Sequence, residues 1–229
     1  MSADKDRLWS DFIAANHVVE DSVPLFAAEE GCVQTVSYGH DGRPVLKRSP
    51  EMDALMRGLG QELVTEYHTG STAHDGLLYL MLRREDEHVI PLYIGKSEVL
   101  GKMGNLSVNV ADLPKGGAFF GRWGYGYAYH IGDLSAVTLP GHADTKKTRK
   151  YEAWRDALFT QETHGLVLNG DVRFWACLWH AGRQSIWREF GSTRLTFEEY
   201  LLIGVASDLY PDHVLNREGR NRKRGSAGG

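Results

Sequence analysis

Two apolar segments separated by a short polar turn constrain the fold of this chain more than any other feature. Residues 77–82 form an unbroken apolar run, and residues 89–94 follow after six polar or charged positions. Two segments of strand length joined this closely predict an antiparallel β-hairpin. Pro91 cannot donate a ladder hydrogen bond, so we expect a bulge or an unpaired side in the second strand. The hairpin would allow Tyr79 and Tyr93 to present their hydroxyls to one small polar site.

Periodic apolar positions and turn residues predict the other elements. The predicted helices cover residues 1–14, 50–67, 118–123, 151–159 and 196–209, with Ser49 capping the second and Pro211 ending the last. The predicted strands outside the hairpin cover residues 33–38, 45–46, 127–131 and 172–179. We therefore predict an α/β (α+β) fold with a small, mostly antiparallel sheet flanked by helices. Residues 1–70 are expected to form an N-terminal extension, 71–220 the main domain and 221–229 a flexible tail.

The N-terminal segment carries several charges and lacks the apolar stretch of a signal peptide or a membrane span. We expect a cytoplasmic protein with no membrane partner. The chain has a formal net charge of −4, but residues 217–224 carry five basic side chains and one acid, a net charge of +4. This segment could contact DNA phosphates through Arg217, Arg220, Arg222, Lys223 and Arg224. A disordered solubilising tail is the equally simple alternative.

The two tyrosines begin an ordered series of motifs. Leu77-Leu78-Tyr79 and Tyr93-Ile94-Gly95-Lys96 come first, then Arg122, and the series ends with Glu199-Tyr200-Leu201-Leu202-Ile203, Pro211 and Asn216. Taken in this order, the series resembles the GIY-YIG nuclease superfamily over about residues 71–220. The chain departs from the family pattern at Leu77, where the family has glycine, and in the long stretch before Arg122.

The resemblance implies a Mg²⁺-dependent DNA endonuclease of the restriction or phage-defence type. It implies that Tyr79 is the base, Tyr93 its orienting partner and Arg122 a phosphate ligand. Glu199 would hold the metal, because one carboxylate with water and phosphate oxygens can satisfy magnesium. Asn216 would support the site.

The residue types add two candidates to this set. A tyrosine with an ordinary pKa near 10 is a poor base unless a cation lowers that pKa. Lys96, next to the second motif, could supply the charge. His130 follows Arg122 by eight residues and could contact the phosphate or the attacking water.

Each candidate also has a structural interpretation. Tyr79 and Tyr93 could be half-buried strand aromatics, and His130 a core histidine on a strand. Arg122 could form a surface ion pair, and Asn216 could cap a turn. Thr196-Phe197-Glu198-Glu199 could be a capping box. Trp123, Tyr125, Tyr127 and Tyr129 could either stack on unpaired bases or pack the sheet.

Three functions from different classes remain open at this point. The first is the endonuclease, which could act alone or as a homodimer that cuts both strands. The second is a catalytically inactive DNA-binding module that retains the nuclease fold. The third is a protein-binding role without nucleic acid, mediated by the N-terminal segment.

Overall fold

The computed structural model describes residues 2–115, 129–162 and 165–220. The helices are α1 (Ser2–Ala15), α2 (Val18–Asp21), α3 (Pro50–Thr69), α4 (Val108–Ala111), α5 (Ile131–Thr138), α6 (Arg149–Leu158) and α7 (Leu195–Leu209). The strands are β1 (Val23–Pro24), β2 (Ala28–Glu29), β3 (Cys32–Val33), β4 (Thr35–Tyr38), β5 (Arg43–Leu46), β6 (His74–Glu85), β7 (His88–Glu98), β8 (Phe159–Glu162), β9 (Gly165–Leu168) and β10 (Asp171–His180). Helices and antiparallel sheets occur together, so the predicted α+β class is confirmed.

The predicted hairpin forms the centre of the molecule. Strands β6 and β7 pair antiparallel within a four-stranded sheet of order β1-β10-β6-β7. The register shifts where Leu82 lies opposite Pro91 and Met81 lies opposite Tyr93, which confirms the irregularity expected at Pro91. Strand β7 is the outer strand of this sheet, and the candidate site lies along its free edge.

The apolar run of β6 is continuous because both faces of the sheet are covered. Leu77, Tyr79 and Met81 belong to a core shared with α3, α5 and α6. Leu78, Leu80 and Leu82 belong to a second core, shared with α1 and α7. Alternate side chains of a strand point to opposite faces of the sheet. When both faces are covered, both sets of side chains are apolar. The sheet is therefore the middle of three layers.

The first 70 residues contribute to both cores. Phe12 of α1 packs against Trp175 with ring centroids 5.8 Å apart. Val23 and Pro24 of β1 pair with β10 in the central sheet. Helix α3 begins as predicted, with the Ser49 hydroxyl accepting a hydrogen bond from the Met52 amide at 2.9 Å. The first 70 residues are therefore packed on both faces of the central sheet.

The prediction of a strand over residues 127–131 is wrong where the structure describes it. Tyr129 and His130 have positive φ angles of 68° and 56°, and Ile131 begins helix α5. Two consecutive left-handed residues break an extended strand and turn the chain into the helix. Residues 116–128, which contain the predicted helical turn, lie outside the described residues. No helix within the described ranges is long and apolar enough to cross a membrane.

Candidate active site

The hairpin brings the two motif tyrosines together on one face of the sheet. Tyr79 lies opposite Gly95, and Tyr93 lies opposite Met81. The tyrosine ring centroids are 6.2 Å apart. Tyr79 is 2% exposed, whereas Tyr93 is half-buried and lines a cavity. Tyr93 is therefore the tyrosine that a ligand can reach, and Tyr79 lies behind it.

Gly95 is required by the position of the Tyr79 ring. A Cβ atom at Gly95 would lie 2.4 Å from Cζ of Tyr79 and 2.5 Å from its hydroxyl oxygen. Such distances are well inside van der Waals contact, so only glycine fits opposite this phenol. The glycine of the second motif and the tyrosine of the first therefore form one packing unit.

A cavity of about 280 Å³ opens at the edge of β7, next to this unit. Its walls come from β7, α6, α7 and the segment that follows α7. The lining residues are Tyr93, Lys150, Glu199, Tyr200, Ile203, Asn216, Arg217 and Glu218. Sequence reasoning selected four of these, namely Tyr93, Glu199, Asn216 and Arg217.

Glu199 occupies the α7 wall of the cavity. Its pKa is raised to about 7, chiefly by burial and also by the charges of Glu98 and Glu218, while the charge and backbone of Lys96 oppose the shift. The carboxyl is thus half protonated near neutral pH. A bound cation would relieve the repulsion between the ionised carboxylate and its acidic neighbours. The preceding residue, Glu198, is fully buried and accepts a hydrogen bond from the Thr193 hydroxyl at 3.0 Å.

The capping-box interpretation of Glu199 is wrong. Helix α7 begins at Leu195 with Arg194 at the N-cap position, and that N-cap has no side-chain hydrogen bond. The Thr196 hydroxyl donates to Glu98 at 2.8 Å instead. Glu199 therefore has no capping role to explain its position.

Two cations face the same cavity. The Lys150 ammonium lies 5.8 Å from the ring centroid of Tyr93, 4.9 Å from that of Tyr151 and 5.6 Å from that of Trp154. Burial lowers the pKa of Lys150, and the charge of Arg217 lowers it further. Two cations on the walls of one cavity form a local positive potential suited to an anion such as a phosphate. Arg217 itself is exposed.

Asn216 holds the edge of β7 in place. Its side-chain oxygen accepts from the Ile94 amide at 3.0 Å, and its side-chain nitrogen donates to the Ile94 carbonyl at 2.7 Å. The Leu215 amide donates to the Leu92 carbonyl at 2.7 Å. These bonds satisfy backbone groups of an edge strand that would otherwise lack partners. Asn216 thus positions Tyr93, which lies between Leu92 and Ile94.

The remaining predicted residues are distributed around the cavity. The Lys96 ammonium pairs with Glu98 at 2.8 Å. His130 does not line the cavity but packs its ring 4.8 Å from that of Tyr93, and its Nδ1 lies 2.6 Å from the Tyr151 hydroxyl. Burial, with the charge of Lys150, lowers the pKa of His130 to about 3. His130 is therefore neutral at physiological pH and cannot act there as a phosphate-binding cation.

Several predicted residues cannot be assigned to the cavity. Arg220 donates to the Val214 carbonyl at 2.7 Å. Arg122, Arg222, Lys223 and Arg224 lie outside the described residues. Of the aromatic run, Tyr129 is buried in the core with its ring centroid 5.3 Å from that of Tyr79, and the other three members lie outside the described residues.

Sequence reasoning missed Lys150 and Glu218. Lys150 belongs to the charged stretch Lys146, Lys147, Arg149 and Lys150, where periodicity alone does not single it out. Glu218 is the one acid within the basic segment 217–224, and nothing in the sequence pattern assigns it to a site. The signal that could have identified Lys150 is its position just before Tyr151 and Trp154, since a lysine near aromatic residues can place its ammonium over their rings.

The tyrosine pKa values limit what the pair can do unaided. Burial raises the pKa of Tyr79 well above its ordinary value of 10, and that of Tyr93 to about 12. Glu199 is among the further causes for both tyrosines. Both phenols are protonated at neutral pH, so they act first as hydrogen-bond donors. Neutralising Glu199 would bring both pKa values down.

The acidic side of the cavity fits a divalent cation. Glu199 and Glu218 line the same cavity, and carboxylate oxygens are the ligands that Mg²⁺ prefers. A second group of ligand atoms, from Glu62 and Glu66 of α3 and His74 of β6, lies within 4.8 Å of one another. There the Glu66 carboxylate and His74 Nδ1 are already hydrogen-bonded at 2.6 Å, which accounts for the arrangement without an ion.

No protein-family model, curated protein or solved structure matches this chain.

Proposed function

We propose that the chain is a Mg²⁺-dependent endonuclease that hydrolyses DNA phosphodiester bonds in the cavity at the edge of β7. One observation carries the proposal: the Tyr93 phenol, the half-buried Glu199 carboxylate and two cations line one cavity of about 280 Å³. A phosphodiester hydrolase needs these groups, namely a water-orienting group, a metal ligand and positive charge around the phosphate.

The cations would hold the scissile phosphate. Lys150 and Arg217 flank the cavity, and their positive charge would favour the dianionic transition state over the monoanionic substrate. Tyr93 would orient the attacking water. Tyr79, which packs behind Tyr93, would fix the direction of the Tyr93 hydroxyl. This reverses the roles suggested by the resemblance, because Tyr93 rather than Tyr79 lines the cavity.

Glu199 would hold the Mg²⁺ ion, with Glu218 next to it. When bound, Mg²⁺ polarises the phosphate and stabilises the leaving oxygen. In the reaction, the water oxygen bonds to phosphorus as one ester P–O bond breaks. The protonated Tyr93 phenol would hold the attacking water by a hydrogen bond, the water proton would pass to solvent, and the leaving oxygen would take a proton from solvent.

Incubation of a supercoiled plasmid with the purified chain tests the proposal. We expect nicked or linear products with Mg²⁺ and none with EDTA. A Lys150→Ala variant should bind DNA more weakly and cut more slowly. A plasmid that stays supercoiled at all Mg²⁺ concentrations would contradict the proposal.

A second candidate is a DNA-binding module that retains the fold without activity. It is favoured by the complete burial of Tyr79 and its high pKa, which oppose a role as base. The same plasmid experiment separates the two functions. A binding module would retard the plasmid on a gel and leave it uncut with or without Mg²⁺.

A further inference from the structure

Four aromatic side chains lie beside the candidate cavity, the half-buried Trp187 and the exposed Phe190, Phe197 and Tyr200, and we call them the aromatic ledge. Phe190 is 55% exposed, Phe197 43% and Tyr200 46%. Ring centroids are 6.0 Å apart between Trp187 and Phe190 and 5.3 Å apart between Phe190 and Phe197. Phe197 and Tyr200 are one helical turn apart on α7. Because Tyr200 also lines the cavity, the ledge starts at the proposed phosphate site.

The packing of α7 does not require these rings. The helix contributes Leu202, Ile203, Val205 and Ala206 to the core beneath it. Phe197 and Tyr200 project to the other side, where Phe190 packs edge-on against Phe197 at an interplanar angle of 70°. Exposed apolar rings grouped in this way are typical of binding surfaces in soluble proteins.

We propose that the aromatic ledge stacks the bases of an unpaired nucleic-acid strand whose phosphate occupies the cavity. This inference rests on the proposed function and specifies its substrate as single-stranded or locally unpaired DNA. Bases in an intact duplex are stacked on each other and cannot offer their faces to protein rings. An aromatic ring and an unpaired base stack without regard to sequence, because every base has a π-face.

Position and charge favour a nucleic-acid strand over another occupant. Tyr200 belongs to both the ledge and the cavity, so a strand with one phosphate in the cavity would carry its neighbouring bases across the rings. The exposed Arg188 lies within the ledge beside Glu189, and Lys150 and Arg217 lie at its cavity end, where Glu199 and Glu218 are the proposed metal ligands. Cations beside stacking rings match the phosphates and bases of a single strand.

Binding of a fluorescent oligodeoxynucleotide of about 12 nucleotides tests the ledge. The same sequence is offered single-stranded and as a blunt duplex, in EDTA so that nothing is cut. A double variant, Phe190→Leu with Phe197→Leu, keeps apolar bulk but removes the flat rings. We expect it to weaken single-strand binding about tenfold or more and to change duplex binding little.

Two further variants control this comparison. Phe197→Trp keeps a stacking ring, so it should retain the single-strand affinity that the double Leu variant loses. Val36→Ala removes an exposed apolar side chain on β4 and should leave binding unchanged. Unchanged melting temperatures would show that all variants remain folded.

The possible results separate the ledge from the proposed function. Equal single-strand affinity of wild type and the double Leu variant would overturn the ledge proposal while leaving the nuclease proposal standing. A change in sedimentation of the double variant with unchanged DNA affinity would also overturn it, in favour of an interface between two copies. No binding of either DNA form by the wild type would instead reject the proposed function itself.

Discussion

Two adjacent glutamates on α7 have opposite environments. Glu198 is fully buried and hydrogen-bonded to Thr193, whereas Glu199 faces the cavity with a raised pKa. Successive residues on a helix are rotated by about 100°, so one step along the chain is enough to separate the two. At the residue scale, the site therefore depends on which glutamate faces the edge of β7.

Replacement of Glu199 by Gln should make protein stability less sensitive to pH. The folded-state pKa of about 7 lies above the ordinary value of 4.5. The folded state therefore binds more protons than the unfolded state between these values, and wild-type stability falls as pH rises through them. The compared quantity is the free energy of unfolding of Glu199→Gln minus that of wild type. This difference should be about 1–2 kcal/mol larger at pH 8 than at pH 4.5, after allowance for solvent screening.

Urea unfolding of both proteins across this pH range measures the difference. Added Mg²⁺ should reduce it, because the ion stabilises only the protein with the ionised carboxylate. A difference that stays constant with pH would mean that the pKa of Glu199 is not raised.

Replacement of Gly95 by Ala should disturb Tyr79. The new Cβ would overlap the phenol ring, so either the ring or strand β7 must move. We expect a loss of about 1–3 kcal/mol of stability and a changed near-UV circular dichroism spectrum. Gly58→Ala on α3 is the matched control, because nothing lies within 4 Å of its Cβ position. It should stabilise the helix slightly. Equal stability of Gly95→Ala and wild type would contradict the Tyr79–Gly95 packing.

At the scale of elements, the site is assembled along the free edge of one strand. The segment after α7 returns to β7 and covers that edge with the backbone of Leu215 and the side chain of Asn216. The same segment brings Arg217 and Glu218 to the cavity. Edge protection and site assembly are therefore carried out by the same short stretch of chain.

Replacement of Asn216 by Asp should loosen this edge. A carboxylate can still accept from the Ile94 amide, but it cannot donate to the Ile94 carbonyl. We expect about 1–3 kcal/mol lower stability and faster hydrogen exchange of the Ile94 amide. Asn169→Asp is the control, because Asn169 is exposed and its side chain donates only a long hydrogen bond of 3.4 Å to the Ala157 carbonyl. Unchanged exchange at Ile94 would exclude the proposed clamp.

The sequence predicted the elements whose patterns are long and regular. The hairpin was evident because two covered faces leave strand β6 without polar positions, and α3 was evident from its cap and periodicity. The segment before α5 was predicted incorrectly, because Tyr and Ile favour strands while the left-handed backbone at Tyr129 and His130 leaves no sequence signal. Lys150 and Glu218 reach the cavity only through tertiary packing, which no local pattern encodes.

At the scale of the whole molecule, the sheet separates two helical layers and the cavity lies where they meet. Lys150 comes from α6 on one side of the sheet, and Glu199 comes from α7 on the other. Strand β7 lies between them and contributes Tyr93. The cation and the carboxylate can therefore approach one phosphate only around the free edge of the sheet, which explains why the site is at an edge.

The central claim is that this cavity hydrolyses DNA with a metal held by Glu199. The most direct measurement compares plasmid cleavage and DNA binding of Glu199→Gln with those of wild type. The matched control is Glu87→Gln, which changes an exposed glutamate in the turn of the hairpin. The account predicts that Glu199→Gln binds DNA as wild type does but cuts it at least about 100-fold more slowly, while Glu87→Gln is fully active. Undiminished cleavage by Glu199→Gln would contradict the account.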